Sequence, residues 1–334
     1  MRSIKLLFVL GTISVVLMTG CPSIKSASEQ TTIKLTTADN KTSPLPQYNY
    51  TKSLLVKGLQ RSYIVHLPIS YNSSRQWPLV IVLHGGGSEA WTMNLLTDFN
   101  ALSDIEGSVI VYPEGYENGW NDGRGAPGIK SQAESIDDVA FVSSLIDNLI
   151  LDLNVDKKMV YATGISNGGI MSNRLGCELS DKIAAIASVA GNIPQETVSK
   201  LSPSRAVSVL IISGTEDPVV PFNGGDVSPM SLKLGKVISV ADMVKFWISK
   251  DGCPVTPKME QLPHLNTNDS TSTVIESYRG CWNGAEVALY KVIGGGHTWP
   301  GGLQYMPEKV VGRTSRDFSA TKDIWQFFKL HPMQ

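Results

Sequence analysis

The stretch that decides the fold runs from Met159 to Gly168 and reads MVYATGISNG. Its first half, Met159–Thr163, is a short apolar run typical of a buried strand, and apolar spacing over Asn167–Leu179 predicts a helix after it. Between them lies the pattern G-x-S-x-G. In a strand–turn–helix context this pattern is a nucleophile elbow, whose strained turn lifts the serine hydroxyl clear of the sheet while the glycines permit close backbone packing. The sequence therefore predicts Ser166 as a nucleophile, and a plain turn with a capping serine is the alternative.

Further strands are predicted on both sides of this stretch. Ser53–Lys57 and Arg61–Leu67 flank Gly58 and Leu59 as a hairpin would. The other runs are apolar and rich in β-branched residues, as in strands covered on both faces: Leu79–Leu83, Ser108–Tyr112, Ala184–Ala190, Ala206–Ile212 and, more weakly, Val287–Val292.

Helices alternate with these strands. Apolar residues from Val139 to Leu153 recur at helical spacing, and Ser135 with Asp138 three positions later predicts a capping-box start. Ala320–Leu330 predicts another helix. Buried strands alternating with amphipathic helices predict an α/β fold, with a mostly parallel sheet and helices on both faces.

A serine nucleophile needs a base, and the chain has five histidines. His297 stands out because it lies in the glycine-rich segment Gly294–Gly302 after the last predicted strand. A surface-loop histidine is the alternative. The acid that orients the base is predicted to be Asp217, which follows the strand Ala206–Ile212, with Glu216 and Asp226 as rivals. The chain order Ser166, Asp217, His297 is that of α/β-hydrolases.

A glycine-rich loop is predicted to stabilise the negative charge of a reaction intermediate. His84 is followed by three glycines directly after a buried strand, an HGGG-type pattern. Backbone N–H groups of such a loop form an oxyanion hole with the N–H that follows the nucleophile. We predict Gly86 and Asn167 as the donors, with Gly87 as the next choice. A glycine-rich turn without this role is the alternative.

Taken together, these motifs resemble the polyhydroxybutyrate depolymerase/feruloyl esterase-like family of secreted α/β-hydrolases over roughly residues 52–330. The resemblance is carried by seven segments in one order: Leu83–Gly87, Tyr112–Gly115, Trp120–Gly125, Asp137–Phe141, Gly164–Gly168, Gly214–Asp217 and Gly296–Gly301.

The resemblance implies the α/β-hydrolase fold and carboxylic ester hydrolysis by Ser166, Asp217 and His297. It also implies that Trp120 and Trp299 line an acyl or aryl pocket, with core packing as the alternative. Polymer-degrading members usually add a substrate-binding module that this sequence does not show. Soluble feruloyl-type or short hydroxyalkanoate esters are therefore the expected substrates.

Two cysteines, Cys253 and Cys281, flank a polar segment, and the resemblance supports a disulfide between them. Cys177 falls in the helix after the elbow and is expected to be a buried thiol. Because neither a CxxC pair nor a His/Cys cluster is present, we predict no metal and no cofactor. The net charge of -1, without a basic stripe, argues against nucleic acid as a partner.

The N-terminus predicts export. A charged start, a short apolar run and small residues predict a signal peptide over residues 1–20, and Leu17–Cys21 resembles a lipobox. Cys21 is then a candidate for lipidation and attachment to a bacterial membrane. An ordinary signal peptide followed by an unmodified cysteine is the alternative. Residues 21–50 predict a flexible tether, and residues 51–334 one catalytic domain.

The sequence is compatible with three functions. The first is a secreted serine esterase acting on a small-molecule or oligomeric ester. The second is a serine peptidase of the same fold. The third is a non-catalytic lipoprotein that binds a glycan or a partner, and the presence of a complete Ser-His-Asp set in the sequence argues against it.

Overall fold

The computed structural model describes residues 48–265 and 268–334. Tyr48–Gln334 forms one compact unit. The predicted signal peptide, the lipidation candidate Cys21 and nearly all of the predicted tether lie outside the described residues. The first strand begins at Asn49, which pairs with His66, so the last two residues assigned to the tether belong to the sheet.

Twelve strands lie in the described residues. They are β1 Asn49–Val56, β2 Leu59–His66, β3 Trp77–Leu83, β4 Val109–Pro113, β5 Val155–Ile165, β6 Ala185–Val189, β7 Ser208–Gly214, β8 Gly225–Asp226, β9 Lys236–Val237, β10 Lys258–Gln261, β11 Ser272–Tyr278 and β12 Val287–Ile293.

Eight α-helices lie in the same residues, together with 3₁₀ turns at Pro229–Ser231 and Trp282–Gly284. The helices are α1 Ala90–Thr97, α2 Phe99–Glu106, α3 Lys130–Ala133, α4 Asp138–Leu153, α5 Asn167–Glu178, α6 Val240–Lys250, α7 Glu308–Val311 and α8 Ala320–Leu330. In the part of the chain that the structure describes, none of them has the length and hydropathy that crossing a bilayer requires.

Ten strands form one sheet in the order β1-β2-β4-β3-β5-β6-β7-β12-β11-β10, and β8 pairs with β9 separately. The six central strands, β4 through β12 in that order, run parallel, whereas β1, β2, β11 and β10 pair antiparallel at the two edges. The carboxyl ends of the parallel strands therefore share one edge of the sheet, where ligand sites of open α/β sheets lie.

Helices cover both faces of this sheet, which confirms the predicted fold class. One apolar cluster joins the sheet to α4, α5 and α6, through residues such as Leu145, Met171 and Trp247. The other joins it to α1, α2 and α8, through residues such as Phe99 and Trp325. Because both faces are covered, every residue of β4, β6 and β7 is buried.

Local details differ from the sequence prediction at the start of α4. The capping residue is Asp137, whose side chain accepts the N–H of Ala140, rather than Ser135. Ser135 has a φ of 52° and lies in the turn before the helix. The aspartate lies one position before the first helical residue, which is where a side-chain oxygen reaches the free N–H groups of the first turn.

A disulfide joins Cys253 to Cys281, as predicted, and Cys177 is a buried free thiol. The segment between the two bonded cysteines is not a simple loop, because it contains β10 and β11.

Asp251, next to this disulfide, is a buried carboxyl with one unsatisfied oxygen. Oδ1 accepts the N–H of Val207 at 3.0 Å, whereas Oδ2 has no hydrogen-bond donor among the described residues. Burial raises the pKa of Asp251 from 3.8 to about 7. The folded state therefore holds this proton more tightly than the unfolded chain does.

We predict that Asp251→Asn changes the pH dependence of stability. The raised pKa contributes stability that is fully present below pH 3.8 and is lost as the pH rises through about 7. Between pH 5 and 8 the variant should gain on the order of 2–3 kcal/mol relative to wild type in free energy of unfolding. Urea unfolding of both proteins at the two pH values measures this gain, and a difference that does not change with pH would contradict it.

Candidate active site

The predicted elbow forms the turn between β5 and α5. Ser166 lies between Ile165, the last residue of β5, and Asn167, the first of α5, with φ 58° and ψ −124°. This conformation is strained for a residue with a side chain. A Cβ at Gly168 would lie 2.3 Å from the Leu83 carbonyl oxygen, so only glycine fits there. The tight turn thus places Ser166 at the carboxyl edge of the sheet.

A buried acid–base pair lies at the same edge. Nδ1 of His297 is 2.8 Å from Oδ2 of Asp217, and both side chains are almost fully buried. The other carboxylate oxygen of Asp217 accepts the N–H groups of Val219 and Val220, each at 2.8 Å. Nδ1–H of His297 can donate to the carboxylate, which leaves Nε2 free to accept a proton.

The rival acids point elsewhere. Glu216 is exposed and its nearest cation is Arg313 at 3.6 Å, while Asp226 lies 3.6 Å from Lys233. Asp217 contacts His297 because β7 and β12 are neighbours and their ends pack closely.

The other histidines have different partners: His66 contacts Asn49 and Asp104, His264 contacts Asp317, and His331 contacts Phe327.

Two further contacts hold the His297 backbone. Tyr305 donates its hydroxyl proton to the His297 carbonyl oxygen at 2.8 Å, and the His297 N–H donates to the carbonyl oxygen of Val311 at 2.5 Å. Burial raises the pKa of the Tyr305 hydroxyl well above its usual value. Sequence reasoning missed both residues because they lie 8 and 14 positions after His297 in a loop without a recognisable motif.

Ser166 and His297 are not hydrogen-bonded to each other among the described residues. His297 and Asp217 lie on the loops after β12 and β7, and Ser166 lies directly after β5. All three loops are at the same edge of the sheet. Catalytic hydrogen bonds are often long in enzymes without substrate and shorten in the reacting complex. The structure thus brings Asp217 and His297 into contact and leaves the serine–histidine bond unformed.

The glycine loop after β3 adjoins the elbow. A Cβ at Gly85 would lie 3.5 Å from Ser166 Cβ, and one at Gly86 would lie 3.6 Å from Asn167 Cβ. The N–H of Gly87 donates to the Asn118 carbonyl at 2.7 Å, whereas the N–H of Gly86 has no acceptor among the described residues. Gly86 is therefore better placed than Gly87 to donate to a substrate. The N–H of Asn167 belongs to the first turn of α5, where no intrahelical acceptor exists.

His84 holds this loop rather than facing a substrate. Its side chain is fully buried, Nδ1 donates to the Gly85 carbonyl at 2.8 Å, and Nε2 accepts the N–H of Gly115 at 2.9 Å. These two bonds orient the imidazole ring and join the loop after β3 to the loop after β4.

Both tryptophans predicted to line a pocket are buried in packed regions. Trp120 is 0% exposed and donates Nε1–H to the His84 carbonyl at 2.9 Å. Trp299 is 1% exposed, donates Nε1–H to Thr321 Oγ1 at 2.9 Å and packs edge-on against Phe99. In this structure neither ring presents surface to an open pocket, because core packing and buried hydrogen bonds occupy both.

A family model described as Esterase PHB depolymerase matches residues 61–230, which is half of the chain and includes Ser166 and Asp217. The chain belongs to this family. This confirms the resemblance seen in the sequence, and the protein is a carboxylic ester hydrolase.

Curated relatives are also esterases by name. The "Putative esterase NocK" of Nocardia uniformis subsp. tsuyamanensis is 34% identical over 83% of this chain and 81% of its own length. "Feruloyl esterase B" of Piromyces equi is 32% identical over 71% of this chain but only 42% of its own length. The chain therefore spans less than half of the second relative.

A solved structure shows the fold. An acetyl xylan esterase from Aspergillus awamori superposes with a TM-score of 0.52, covering 84% of this chain and 99% of its own, at 13% identity. The predicted α/β-hydrolase fold is thereby confirmed.

We predict that Asp217→Asn lowers kcat by about 10⁴-fold, because an amide cannot hold the histidine tautomer or stabilise the imidazolium. Glu216→Gln is the matched control, since the neighbouring carboxylate contacts Arg313 instead, and its kcat should stay within about twofold of wild type. Steady-state rates on p-nitrophenyl acetate compare the two. Equal losses in both variants would contradict the assignment of Asp217.

Proposed function

We propose that this esterase works through an acyl-enzyme, with Ser166 as nucleophile, His297 as general base and Asp217 as the orienting acid. The observation that carries the proposal is the buried 2.8 Å contact between His297 and Asp217 at the sheet edge that also bears the strained Ser166 turn. Groups of these three types at one edge of the sheet fit the needs of serine-based acyl transfer.

The first half-reaction forms the acyl-enzyme. Ser166 Oγ attacks the ester carbonyl carbon while Nε2 of His297 takes the hydroxyl proton, and the carbonyl electron pair moves to the oxygen. Collapse of this tetrahedral intermediate breaks the bond to the alcohol, which leaves with the proton from His297. Asp217 stays ionised and stabilises the imidazolium that forms between these steps.

The second half-reaction releases the acid. Water enters in place of the alcohol and gives its proton to Nε2 while its oxygen attacks the acyl carbon. Collapse breaks the bond to Oγ, and the proton returns to Ser166. In both halves the oxyanion accepts the N–H groups of Gly86 and Asn167. Each such donor is worth about 3–4 kcal/mol in the transition state.

The first turn of α5 after Ser166 packs into a buried apolar cluster. Ile170, one turn after Ser166 in α5, shares an apolar cluster with Val219 and Val220 of the acid loop, and Leu234 packs against that cluster. Soluble feruloyl-type or short hydroxyalkanoate esters are the substrates we propose, and the relative named feruloyl esterase B supports the first of these. We also propose export through the signal peptide, with lipidation at Cys21.

We predict that Ser166→Ala abolishes esterase activity and labelling by a fluorophosphonate probe. Removing the nucleophile should lower kcat on p-nitrophenyl acetate by about 10⁴-fold or more. Ser143→Ala is the matched control, because this α4 serine bonds Lys182 away from the elbow, and it should react as wild type does. Wild-type turnover in Ser166→Ala would rule out the proposed mechanism, and absence of labelling in wild type would favour a non-catalytic binding protein.

The substrate class needs a separate measurement. We predict higher kcat/KM on methyl ferulate or on hydroxybutyrate dimers than on long-chain esters or peptide p-nitroanilides, because the chain matches the Esterase PHB depolymerase model and is similar to a relative named feruloyl esterase B. Acid release from matched acetyl, feruloyl, hydroxybutyryl and decanoyl esters ranks the acyl groups. A preference for peptide amides would instead identify a peptidase of the same fold.

A further inference from the structure

The side chain of Asn167, directly after the nucleophile, is fully engaged in hydrogen bonds. Its Oδ1 accepts the N–H of Trp120 at 2.7 Å, and its Nδ2 donates to the Trp120 carbonyl at 3.0 Å and to Oδ2 of Asp122 at 2.5 Å. The side chain is 2% exposed. The backbone N–H that would stabilise the oxyanion therefore belongs to a residue whose side chain is clamped by hydrogen bonds to the loop after β4.

Asp122 is the charged end of this clamp. It is 1% exposed, and its Oδ2 also accepts Nε of Arg124 at 2.9 Å while its Oδ1 accepts Nε2 of Gln132 at 2.9 Å. Arg124 extends the network by donating Nη1–H to the Leu234 carbonyl at 3.1 Å. Hydrogen bonds to an ionised group are shorter and stronger than neutral ones, so the bond to Asn167 is the strongest that its side chain makes.

The same clamp reaches the other oxyanion donor. Gly86 packs against the Asn167 side chain, where a Cβ would lie 3.6 Å from Asn167 Cβ. Trp120, held by Asn167, donates its indole N–H to the His84 carbonyl at the start of the glycine loop. The Asn167 side chain thus connects its own turn with the glycine loop, and these are the two segments whose N–H groups would bind the oxyanion.

We propose that Asp122 is a positioning residue for the oxyanion hole and acts through the side chain of Asn167. This inference rests on the proposed acyl-enzyme mechanism. The carboxylate fixes the rotamer of Asn167, and with it the direction of the Asn167 N–H and the spacing to Gly86. Donors must lie about 2.7–3.1 Å from the oxyanion. A small displacement therefore destabilises the transition state more than it destabilises the complex with the bound ester.

The test is a double-mutant cycle between Asp122→Asn and Asn167→Ala. The first puts an amide N–H₂ where Asn167 needs an acceptor, and the second removes the clamped side chain but keeps the backbone N–H. Each should lower kcat on p-nitrophenyl acetate by about 10–100-fold with KM within about threefold of wild type. The double variant should be no slower than the slower single variant, because each change removes the same bond between the side chains of Asp122 and Asn167.

A second readout separates positioning from folding. The inhibition constant of a trifluoromethyl ketone, whose serine adduct carries an oxyanion, should rise by the same factor as kcat falls. Asp251→Asn is the matched buried control, because Asp251 bonds Val207 at the amino end of β7, the edge of the sheet opposite Ser166, and should leave both quantities within about twofold. If Asp122→Asn does not fold, Asn167→Ala still tests the inference, because it leaves the Asp122–Arg124 ion pair intact and an unchanged kcat in that variant would contradict the proposal.

Three results would overturn the inference. They are a kcat within twofold of wild type in Asn167→Ala, losses that multiply in the double variant, and an unchanged inhibition constant. If fluorophosphonate labels Ser166 in the same preparation, such a result leaves the proposed function standing. If Ser166 is not labelled, both proposals fail.

Discussion

The close approach of two backbones at the elbow is the constraint on which the rest of the site depends. A Cβ at Gly168 would lie 2.3 Å from the carbonyl oxygen of Leu83 and 2.6 Å from that of His84. The first turn of α5 therefore lies directly against the end of β3, which is possible only without a side chain at that position. Because β3 and β5 are neighbours in the sheet, this contact brings the glycine loop after β3 beside Ser166. The strained φ of Ser166 is a consequence of the same tight turn.

A second pair of neighbouring strands repeats this arrangement for Asp217 and His297. A Cβ at Gly214, the last residue of β7, would lie 2.2 Å from the carbonyl oxygen of Gly295 after β12. The loops that carry Asp217 and His297 thus begin in backbone contact. Each half of the site is assembled from adjacent parallel strands, with glycine at the point of closest approach. Parallel strands deliver their carboxyl ends to one edge, so both halves face the same space.

The parts that sequence could predict are those with a local pattern. Ser166 could be predicted because strand, turn and helix follow one another directly between Met159 and Leu179, and the sheet could be predicted because its central strands are apolar. Contacts between distant loops have no such pattern, so the hydrogen bonds of Tyr305 and Asp122 emerge only from the structure. The tryptophans show the same limit of sequence-based prediction. A tryptophan beside a catalytic motif has the same sequence pattern whether its ring faces a pocket or, like that of Trp120, donates to a buried carbonyl. Asp137 displaced Ser135 as the cap of α4 because helix boundaries depend on single hydrogen bonds.

The loop between β4 and α4 has little regular structure, and its rigidity must come from side chains. Buried backbone groups need partners, and a loop cannot supply them in the regular way of a helix or strand. Here Asn167 satisfies both backbone groups of Trp120, Gln132 accepts the N–H of Ala126, and Asp122 accepts the N–H of Arg124. An apolar residue at position 122 would pack but would leave the guanidinium of Arg124 buried without a counter-charge. A buried carboxylate that binds Arg124, Gln132 and Asn167 at once joins the loop to the elbow, which is the basis of the positioning role proposed for Asp122.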